Sequence, residues 1–331
     1  MTSFDGTRRR WLAGATALAS ASAAGLLHAQ PVRYAQKPVR LIVPFAAGGA
    51  IDAMSRPMAD ALGRELGQTV VVDNKAGAAG NIGAAQVAKS APDGYNLLVG
   101  TSATHGANQS LFAKLPYDPV GDFDFISLWG SVPNVLVVNA ATGAASVPEL
   151  VQRARREPGK LTYASAGTGT SLHLAGVLFE KAAGVELLHV PYKGGAPASM
   201  DLIGGNVAMM FDTVSVALPN IKAGKLRALA VAASERHFAL PDVPTFAELG
   251  FKGVEAATWA GMFAPKGTPS AILDELRAAN AKALADPKVE QALRNNGVQT
   301  LALQGDKFKA FVQAETTRWA QVVKDAKIAP E

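Results

Sequence analysis

Residues 39–52 read VRLIVPFAAGGAID: a short apolar run, a turn with two adjacent glycines, and an aspartate suited to capping a helix. The apolar run predicts a strand over 39–45, and the helical composition of 52–66 predicts the helix that follows it. Asp52 is expected to be the N-cap of that helix. A strand followed by a glycine turn and a helix is typical of an α/β protein.

The same alternation continues along the chain. Continuous apolar runs indicate strands buried on both faces of a sheet, and crossover helices make neighbouring strands parallel. We therefore predict an α/β fold in which each lobe is a mostly parallel sheet flanked by helices. The other predicted strands are residues 70–73, 96–100, 134–139, 161–164, 187–190, 207–211 and 226–232. The other predicted helices are 80–90, 147–156, 171–183, 197–204, 213–224, 269–285, 287–295 and 306–326, with one short strand between the last two.

The strand pattern becomes irregular in two places, at 115–139, where prolines and a glycine interrupt the chain, and at 241–267. These segments predict two crossings between lobes. One lobe is expected to comprise residues 37–138 plus 257–331, and the other residues 139–256. A ligand is then expected in the cleft between them.

The first 29 residues have the features of an export signal. Three arginines at 8–10 precede an apolar run at 11–27, and cleavage is expected after Ala29. That run is too short and too weakly apolar to favour a membrane-spanning helix. The TRRRWL sequence at 7–12 resembles the twin-arginine signal. Export by that route or by the general secretory route predicts a periplasmic mature protein.

Composition excludes several classes of function. The chain has 331 residues and no cysteine, which excludes thiolate nucleophiles, iron–sulfur clusters and cysteine-ligated zinc. Its 32 basic and 27 acidic side chains alternate along candidate helices, without the basic, aromatic stripe of a nucleic-acid surface. The histidines show no metal-ligand spacing. No cofactor, metal or nucleic-acid partner is expected, and the protein is expected to be a monomer.

Three polar loops follow predicted strands, and each has the chemistry to bind a ligand. The first holds the paired glycines at 48 and 49 before a helix start, where free N–H groups and the helix dipole suit an anion. The second, SAGTGTS at 165–171, adds four hydroxyl side chains that can donate to a carboxylate. The third is TSATHGAN at 101–108. Three such loops from both lobes predict a ligand cleft.

Two other functions stay open on these residues. The YASAG sequence at 163–167 is a partial nucleophile elbow, and Ser165 with His173 or His105 as base would make a secreted serine hydrolase. Tyr163 replaces the first glycine of that motif. A ligand sensor for a membrane signalling partner would share the fold and pocket of a transport receptor.

Several motifs together resemble the extracytoplasmic solute receptors of the tripartite tricarboxylate transporter family, often called Bug receptors. They are FAAGGAID at 45–52, the glycine-rich 74–83, PDGY at 92–95, ASAGTGTSLH at 164–173, VPYKG at 190–194 and MFD at 210–212, with Thr104, His105 and Asn108 between them. The resemblance covers nearly the whole mature chain. It implies a two-lobe periplasmic-binding-protein fold, type II-like, that closes on a small carboxylated solute, presents it to a membrane permease and performs no covalent chemistry.

The resemblance also implies that the solute is held mainly by backbone amides, hydroxyls and ordered waters. Asp212 is expected either to face an amino or hydroxyl group of the solute or to cap the helix that begins at Thr213. Ile51 and Ala208 depart from the family pattern, in which position 51 is commonly small or hydroxyl-bearing and position 208 often acidic. The expected substrate-binding residues are Phe45, Ala47, Gly48, Gly49, Asp52, Thr101, Ser102, His105, Asn108, Ser165, Gly167, Thr168, Gly169, Thr170, Ser171, His173, Tyr192 and Asp212.

Overall fold

A computed structural model describes residues 34–326 and 328 of the chain, so the predicted export signal at 1–29 lies outside the described residues. Strands and helices alternate through most of this part of the chain. None of its helices is both long enough and apolar enough to span a membrane.

The elements of the described chain are ten strands and ten α-helices, with single turns of 3₁₀ helix at Ala78–Gly80 and π-helix at Ala103–Ala107. The strands are β1 Val39–Val43, β2 Val70–Asn74, β3 Asn96–Thr101, β4 Phe123–Asn139, β5 Thr162–Ser165, β6 Leu188–Pro191, β7 Met209–Thr213, β8 Leu226–Val231, β9 Ala257–Pro265 and β10 Gln299–Thr300. The helices are α1 Ala50–Leu66, α2 Asn81–Ala88, α3 Asn108–Leu111, α4 Val147–Arg156, α5 Ser171–Ala183, α6 Gly195–Ile203, α7 Val214–Lys222, α8 Ser270–Ala285, α9 Pro287–Asn295 and α10 Gly305–Asp325.

The predicted strands and helices are all present, and most of their ends lie within two residues of the prediction. Two strand segments were not predicted. They are residues 123–133, which form the first part of β4, and the whole of β9. Both fall in the segments where the sequence pattern becomes irregular.

The strands pair in the order β2-β1-β3-β9-β4-β7-β5-β6, and β8 and β10 also pair with β4. Neighbours are parallel among β1, β2 and β3 and among β5, β6 and β7, as predicted for each lobe. The central pairs β3–β9, β9–β4 and β4–β7 are antiparallel. The fold is therefore α/β with two parallel regions joined by an antiparallel centre.

Strand β4 belongs to both regions. Its residues 123–133 pair with β9, and its residues 134–139 pair with β7 and β8. The pairing changes at Pro133, which has no N–H to extend a ladder. β4 is thus shared by the two regions, whereas β9 pairs within the first. The two crossings between lobes and the lobe ranges 37–138 plus 257–331 and 139–256 stay a prediction.

Each lobe has its own aromatic core. In the first, the rings of Phe125, Phe263 and Phe308 are in mutual contact, with centroids 4.8–5.6 Å apart. In the second, the Phe211 and Phe179 rings each contact that of Phe246, at centroid distances of 5.9 and 5.4 Å. Two separate cores make each lobe a rigid support for the loops at its strand ends.

Asn280 on α8 anchors a buried tryptophan. Its Oδ1 accepts a hydrogen bond from Trp129 Nε1 at 2.8 Å, and its Nδ2 donates to the Leu276 carbonyl at 2.8 Å. Asn280→Leu leaves the indole N–H without a partner in the core, so we expect the free energy of unfolding to fall by about 1–3 kcal/mol in chemical denaturation. The exposed Asn295→Leu is the control, with an expected change below about 0.5 kcal/mol. Equal losses in the two variants would contradict this role of Asn280.

Candidate functional site

A cavity lies at the carboxyl ends of β1, β3, β5 and β7, where open α/β sheets usually bind ligands. Its volume is about 40 Å³. Because one water needs roughly 10–15 Å³ by this measure, the space suits about three water-sized groups. We call it the inner cavity. It is lined by Phe45, Ala46, Gly49, Ala50, Ile51, Thr101, Ser102, Ala103, Ala166, Thr170, Ser171, Leu172, Gly194, Gly195, Asp212, Thr213, Val216 and Thr258.

Four helices, α1, α5, α6 and α7, begin at the wall of the inner cavity. Their N-cap residues Gly49, Thr170, Gly194 and Thr213 all line it. The first N–H groups of a helix have no partner within the helix, and they carry the positive end of its dipole. Among the described residues no lysine or arginine lines this cavity. Its chemistry therefore favours a small anion held by backbone donors.

Asp212 is the one acidic side chain among the described residues that line the inner cavity. Its Oδ1 accepts a hydrogen bond from the N–H of Thr213 at 2.8 Å, while its buried Oδ2 has no partner among the described residues. Complete burial raises the pKa of this carboxyl well above its ordinary value. A protonated Asp212 can donate a hydrogen bond through Oδ2, which makes it compatible with an anion in the cavity.

A hydroxyl pair joins the two lobes at the cavity wall. Ser171 Oγ of α5 lies 2.6 Å from Thr258 Oγ1 of β9, and Ser171 Oγ also lies 3.5 Å from Asn134 Oδ1 of β4. The buried Asn134 Nδ2 has no partner among the described residues. Asn134 and Thr258 were not predicted as site residues because the strand pairing that brings them to Ser171 was not predicted either.

The predicted N-cap at Asp52 is wrong. Helix α1 begins two residues earlier, at Ala50, with Gly49 as its N-cap. Asp52 instead accepts hydrogen bonds from the Gly48 N–H at 3.0 Å and from Arg56 and Asn74. Burial opposes ionisation, but these hydrogen bonds outweigh it and hold the pKa of Asp52 below its ordinary value. Asp52 thus fixes the shape of the glycine turn and does not line the cavity.

A second cavity, which we call the outer cavity, shares Phe45 and Ala166 with the inner one and has a volume of about 280 Å³. Lys193 is exposed. It is the one lysine or arginine among the described residues that line the two cavities. The outer cavity is lined by Phe45, Gly77, Ala78, Ala79, Gly80, Phe112, Ala166, Gly167, Thr168, Pro191, Tyr192 and Lys193. The two cavities therefore form adjacent compartments of one cleft.

A strained turn forms one side of the outer cavity. Residues 77–80 all have positive φ, and two of them, Ala78 at 45° and Ala79 at 49°, are alanines. A left-handed conformation costs an alanine about 1–2 kcal/mol, so the surroundings must hold the turn in place. The Asn108 side chain does so, because its Nδ2 donates to the Ala79 carbonyl at 3.1 Å and to Asn81 Oδ1 at 2.6 Å.

The predicted binding residues fall into three groups in the structure. Those that line the inner cavity are Phe45, Gly49, Thr101, Ser102, Thr170, Ser171 and Asp212. Phe45 also lines the outer cavity, together with Gly167, Thr168 and Tyr192. Those that line neither are Ala47, Gly48, Asp52, His105, Asn108, Ser165, Gly169 and His173. Three further residues line the inner cavity but were not predicted: Gly194, Gly195 and Thr213. The first two are a glycine pair at a helix start, which is the same signal that identified the first loop.

His105 lies in the core of the first lobe. Its ring stacks on Phe263 at a centroid distance of 3.9 Å and contacts Phe123 at 4.8 Å, and its Nδ1 is 2.9 Å from Thr104 Oγ1. Burial lowers the pKa of His105 to about 3, so the ring is neutral. His105 therefore anchors the 101–108 loop to the aromatic core of the first lobe.

Ser165 is buried and pairs with a histidine that the sequence did not indicate. Its Oγ lies 2.7 Å from His189 Nε2, and His189 stacks on His173 at a centroid distance of 4.2 Å. The pairing of Ser165 with His173 or His105 is thus wrong. Ser165 Oγ also accepts from the Gly167 N–H at 3.1 Å, which shapes the loop before α5. Ser165 lines neither cavity.

A metal ion in a protein is held by several histidine or carboxylate side chains that lie close together, and the structure describes residues 34–326 and 328. No group of three or more histidine, aspartate or glutamate side chains in this range is arranged to hold a metal ion. The inner cavity offers a ligand backbone N–H groups, hydroxyls and one carboxyl.

Residues 54–328 match the family described as "Tripartite tricarboxylate transporter family receptor". A relative named Protein BugT, from Bordetella pertussis, is 39% identical over 293 residues, which cover 88% of this chain and 90% of that protein. The solved structure of the periplasmic binding protein BugD is 37% identical, with a TM-score of 0.86, and the match covers 89% of this chain and 99% of that one. An R. palustris protein solved with adipate is also 37% identical, with a TM-score of 0.87 and coverage of 90% and 99%.

Proposed function

The chain belongs to the tripartite tricarboxylate transporter receptor family, and on this basis we propose that it captures a small carboxylated solute between its lobes and delivers it to the permease of such a transporter. The adipate bound by one structural relative is a solute of this chemical class. A sensor for a membrane signalling partner would use the same site, and the family favours transport.

The convergence of four helix N-termini on a cavity without lysine or arginine carries this proposal. A carboxylate placed there meets several aligned N–H donors, each strengthened by exclusion of water. A site of this kind needs no lysine or arginine to bind an anion. We propose that the solute carboxylate contacts four of the predicted binding residues that line the inner cavity: Gly49, Thr170, Ser171 and Asp212.

We propose that binding is coupled to lobe closure about β4 and the segment between β8 and β9, where the chain passes from one region of the sheet to the other. Donors from α1 belong to the first lobe, and those from α5, α6 and α7 to the second, so only a closed cleft brings all four to one anion. A solute that contacts both lobes favours the closed state by the difference in its affinity for the two states. The lobes in this proposal are residues 37–138 plus 257–331 and 139–256.

We further propose that residues 1–29 direct export and are removed, so that the mature protein works in the periplasm as a monomer. The structural relative BugD carries the description of a periplasmic binding protein. Basic residues followed by an apolar run and Ala29 support the same location.

The proposal is tested by a thermal-shift screen of the protein against dicarboxylates, tricarboxylates, amino acids and aromatic acids, followed by calorimetry. At a ligand concentration of about 100 times Kd, binding to the folded state adds roughly 2.7 kcal/mol of stability, a shift that is readily measured. Saturable binding of a carboxylate supports the proposal. Binding of none of these acids would contradict it.

Ser165→Ala separates the receptor from the hydrolase. Because Ser165 positions Gly167 and lines neither cavity, we expect the variant to retain solute binding within about tenfold, since a typical neutral hydrogen bond contributes about 0.5–1.5 kcal/mol. Calorimetry measures the binding, and a chromogenic ester measures turnover. Ester hydrolysis by the wild type that disappears in Ser165→Ala would establish the hydrolase in place of the receptor.

A further inference from the structure

Two parts of the inner cavity wall contact α10, the last helix of the described chain. The 101–108 loop contributes Thr101, Ser102 and Ala103 to this wall, and β9 contributes Thr258. No residue of α10 lines the inner or the outer cavity. The position of these wall residues therefore depends on a helix that lies outside both cavities.

Glu315 of α10 holds two tryptophans with one oxygen atom. Its Oε2 accepts a hydrogen bond from Trp259 Nε1 at 3.1 Å and another from Trp319 Nε1 at 3.1 Å. Its Oε1 lies 3.4 Å from Nη1 of the exposed Arg318. Both indole rings are buried, and a buried indole N–H needs an acceptor. Glu315 supplies that acceptor to both rings.

Trp259 connects Glu315 to the cavity through β9. Successive side chains of a strand point to opposite faces of the sheet. Thr258 lines the inner cavity, whereas the Trp259 ring contacts α10, where it also packs against Phe311 at a centroid distance of 5.4 Å. A displacement of the Trp259 ring would therefore move Thr258, whose Oγ1 lies 2.6 Å from Ser171 Oγ.

Trp319 and Thr316 connect the same helix to the 101–108 loop. The Trp319 ring packs so closely on Gly106 that a Cβ there would lie 3.2 Å from the ring Cδ1. The Thr316 hydroxyl donates to the His105 carbonyl at 3.0 Å and shares its hydrogen with a carbonyl of its own helix. These contacts fix the backbone of the loop next to the residues that line the cavity.

We propose that Glu315 is a positioning residue for solute binding, and that it keeps Thr258 and the 101–108 loop in place through Trp259 and Trp319. This inference rests on the proposed function and adds to it a residue that contacts no solute. The negative charge is not required, because an amide oxygen can accept the same hydrogen bonds. A side chain without an acceptor would leave two buried N–H groups unpaired and let both wall segments shift.

The test is calorimetry on variants that thermal unfolding shows to be folded at the temperature used. The probe is adipate, the acid found with one structural relative, or the tightest-binding acid of the thermal-shift screen if adipate gives no shift. Glu315→Met should weaken binding about tenfold, as expected for a residue that acts on a site through its neighbours. Glu315→Gln should stay within about threefold of the wild type, because it keeps an acceptor. Full affinity in Glu315→Met, or equal losses in the two variants, would overturn the inference.

A second pair of variants tests the loop without changing either tryptophan, and it decides the role of α10 even if Glu315→Met does not fold. Thr316→Val removes the hydroxyl that reaches the His105 carbonyl, so binding should weaken about threefold. Thr317→Val is the matched control, because the exposed Thr317 also donates within α10, to the Gln313 carbonyl at 2.9 Å. It should bind as the wild type does. Equal affinities of the two threonine variants would overturn the inference.

Double-mutant cycles separate positioning from a general loss of stability. If Glu315 acts through Thr258, the losses of affinity in Glu315→Met and Thr258→Val should add to less than their sum. Gly195→Ala alters a different wall of the cavity, so its loss should add fully to that of Glu315→Met. Additive losses in both cycles would show a structural role alone and overturn the inference while leaving the receptor intact. Failure of the wild type to bind any acid of the screen would contradict the proposed function itself.

Discussion

Gly195→Leu is expected to abolish solute binding, with a loss of at least about 100-fold, which corresponds to roughly 2.7 kcal/mol. Gly195 is the first residue of α6 and lines the inner cavity. A Cβ at this position would lie 3.4 Å from Asp212 Oδ1 and 3.9 Å from Val216 Cγ2, both ordinary contacts, and the backbone is outside the left-handed region. The rest of a leucine side chain would occupy the space that the carboxylate needs.

The measurement is calorimetry with whichever acid the screen identifies, together with thermal unfolding of each variant. Gly195→Ala adds one methyl group and should give a smaller loss. Gly204→Leu, at the far end of the same helix and outside both cavities, should bind as the wild type does. Full affinity in a folded Gly195→Leu protein would show that the solute binds elsewhere.

Asp212→Leu is expected to weaken solute binding much more than Asp212→Asn. If Asp212 is protonated and donates to the solute, the asparagine amide replaces that donor and affinity should stay within a few-fold of the wild type. Leucine removes the donor, and a hydrogen bond to a charged group contributes about 1.5–3 kcal/mol, so the expected loss is roughly 10- to 100-fold. Losses of equal size in both variants would show that Asp212 acts as an anion toward a cationic group of the solute.

The stability of the ligand-free protein tests the charge state of Asp212 independently. The ordinary pKa of about 3.9 applies to the unfolded chain, and burial raises the folded value well above it. Stability from this group is fully present below the unfolded pKa and is lost as pH rises from there through the folded pKa, because the carboxyl of the unfolded chain ionises while the buried one stays protonated. Asp212→Asn lacks this loss. In chemical denaturation, its stability relative to the wild type should therefore increase as pH rises from about 4, and a constant difference would contradict the raised pKa.

The parts of the fold that could be predicted are those in which the sequence pattern is local. Strands β1, β3, β5 and β7 are apolar runs next to glycine or hydroxyl turns, and α5 and α9 have their predicted bounds. β9 and the first part of β4 were not predicted, because prolines and glycines interrupt the segments that contain them and obscure the strand pattern. Gly261 of β9 is required by packing, since a Cβ there would lie 2.4 Å from the Phe308 ring. Only the tertiary structure reveals that requirement.

The candidate site was predictable to a similar degree. The loops that contain Gly49 and Ser171 could be found from their own sequences, since paired glycines and clustered hydroxyls before a helix indicate backbone donors. Thr258 and Asn134 could not, because they reach Ser171 only through the pairing of β4 with β9 and β7. His105 was misleading because a polar side chain in a loop can still pack inward against aromatic rings.

The shared strand β4 also bears on the order in which the molecule can assemble. In the sheet of the first lobe, β9 lies between β3 and β4 and pairs with both. β9 follows the whole second lobe in the sequence. The first lobe therefore stays incomplete until the second lobe has been synthesised and β9 has joined the sheet. Contacts between segments so distant in sequence form slowly and after local structure. Thr258, which closes the inner cavity, lies on that late segment. The solute-binding cleft is therefore expected to be among the last regions of the chain to acquire its native structure.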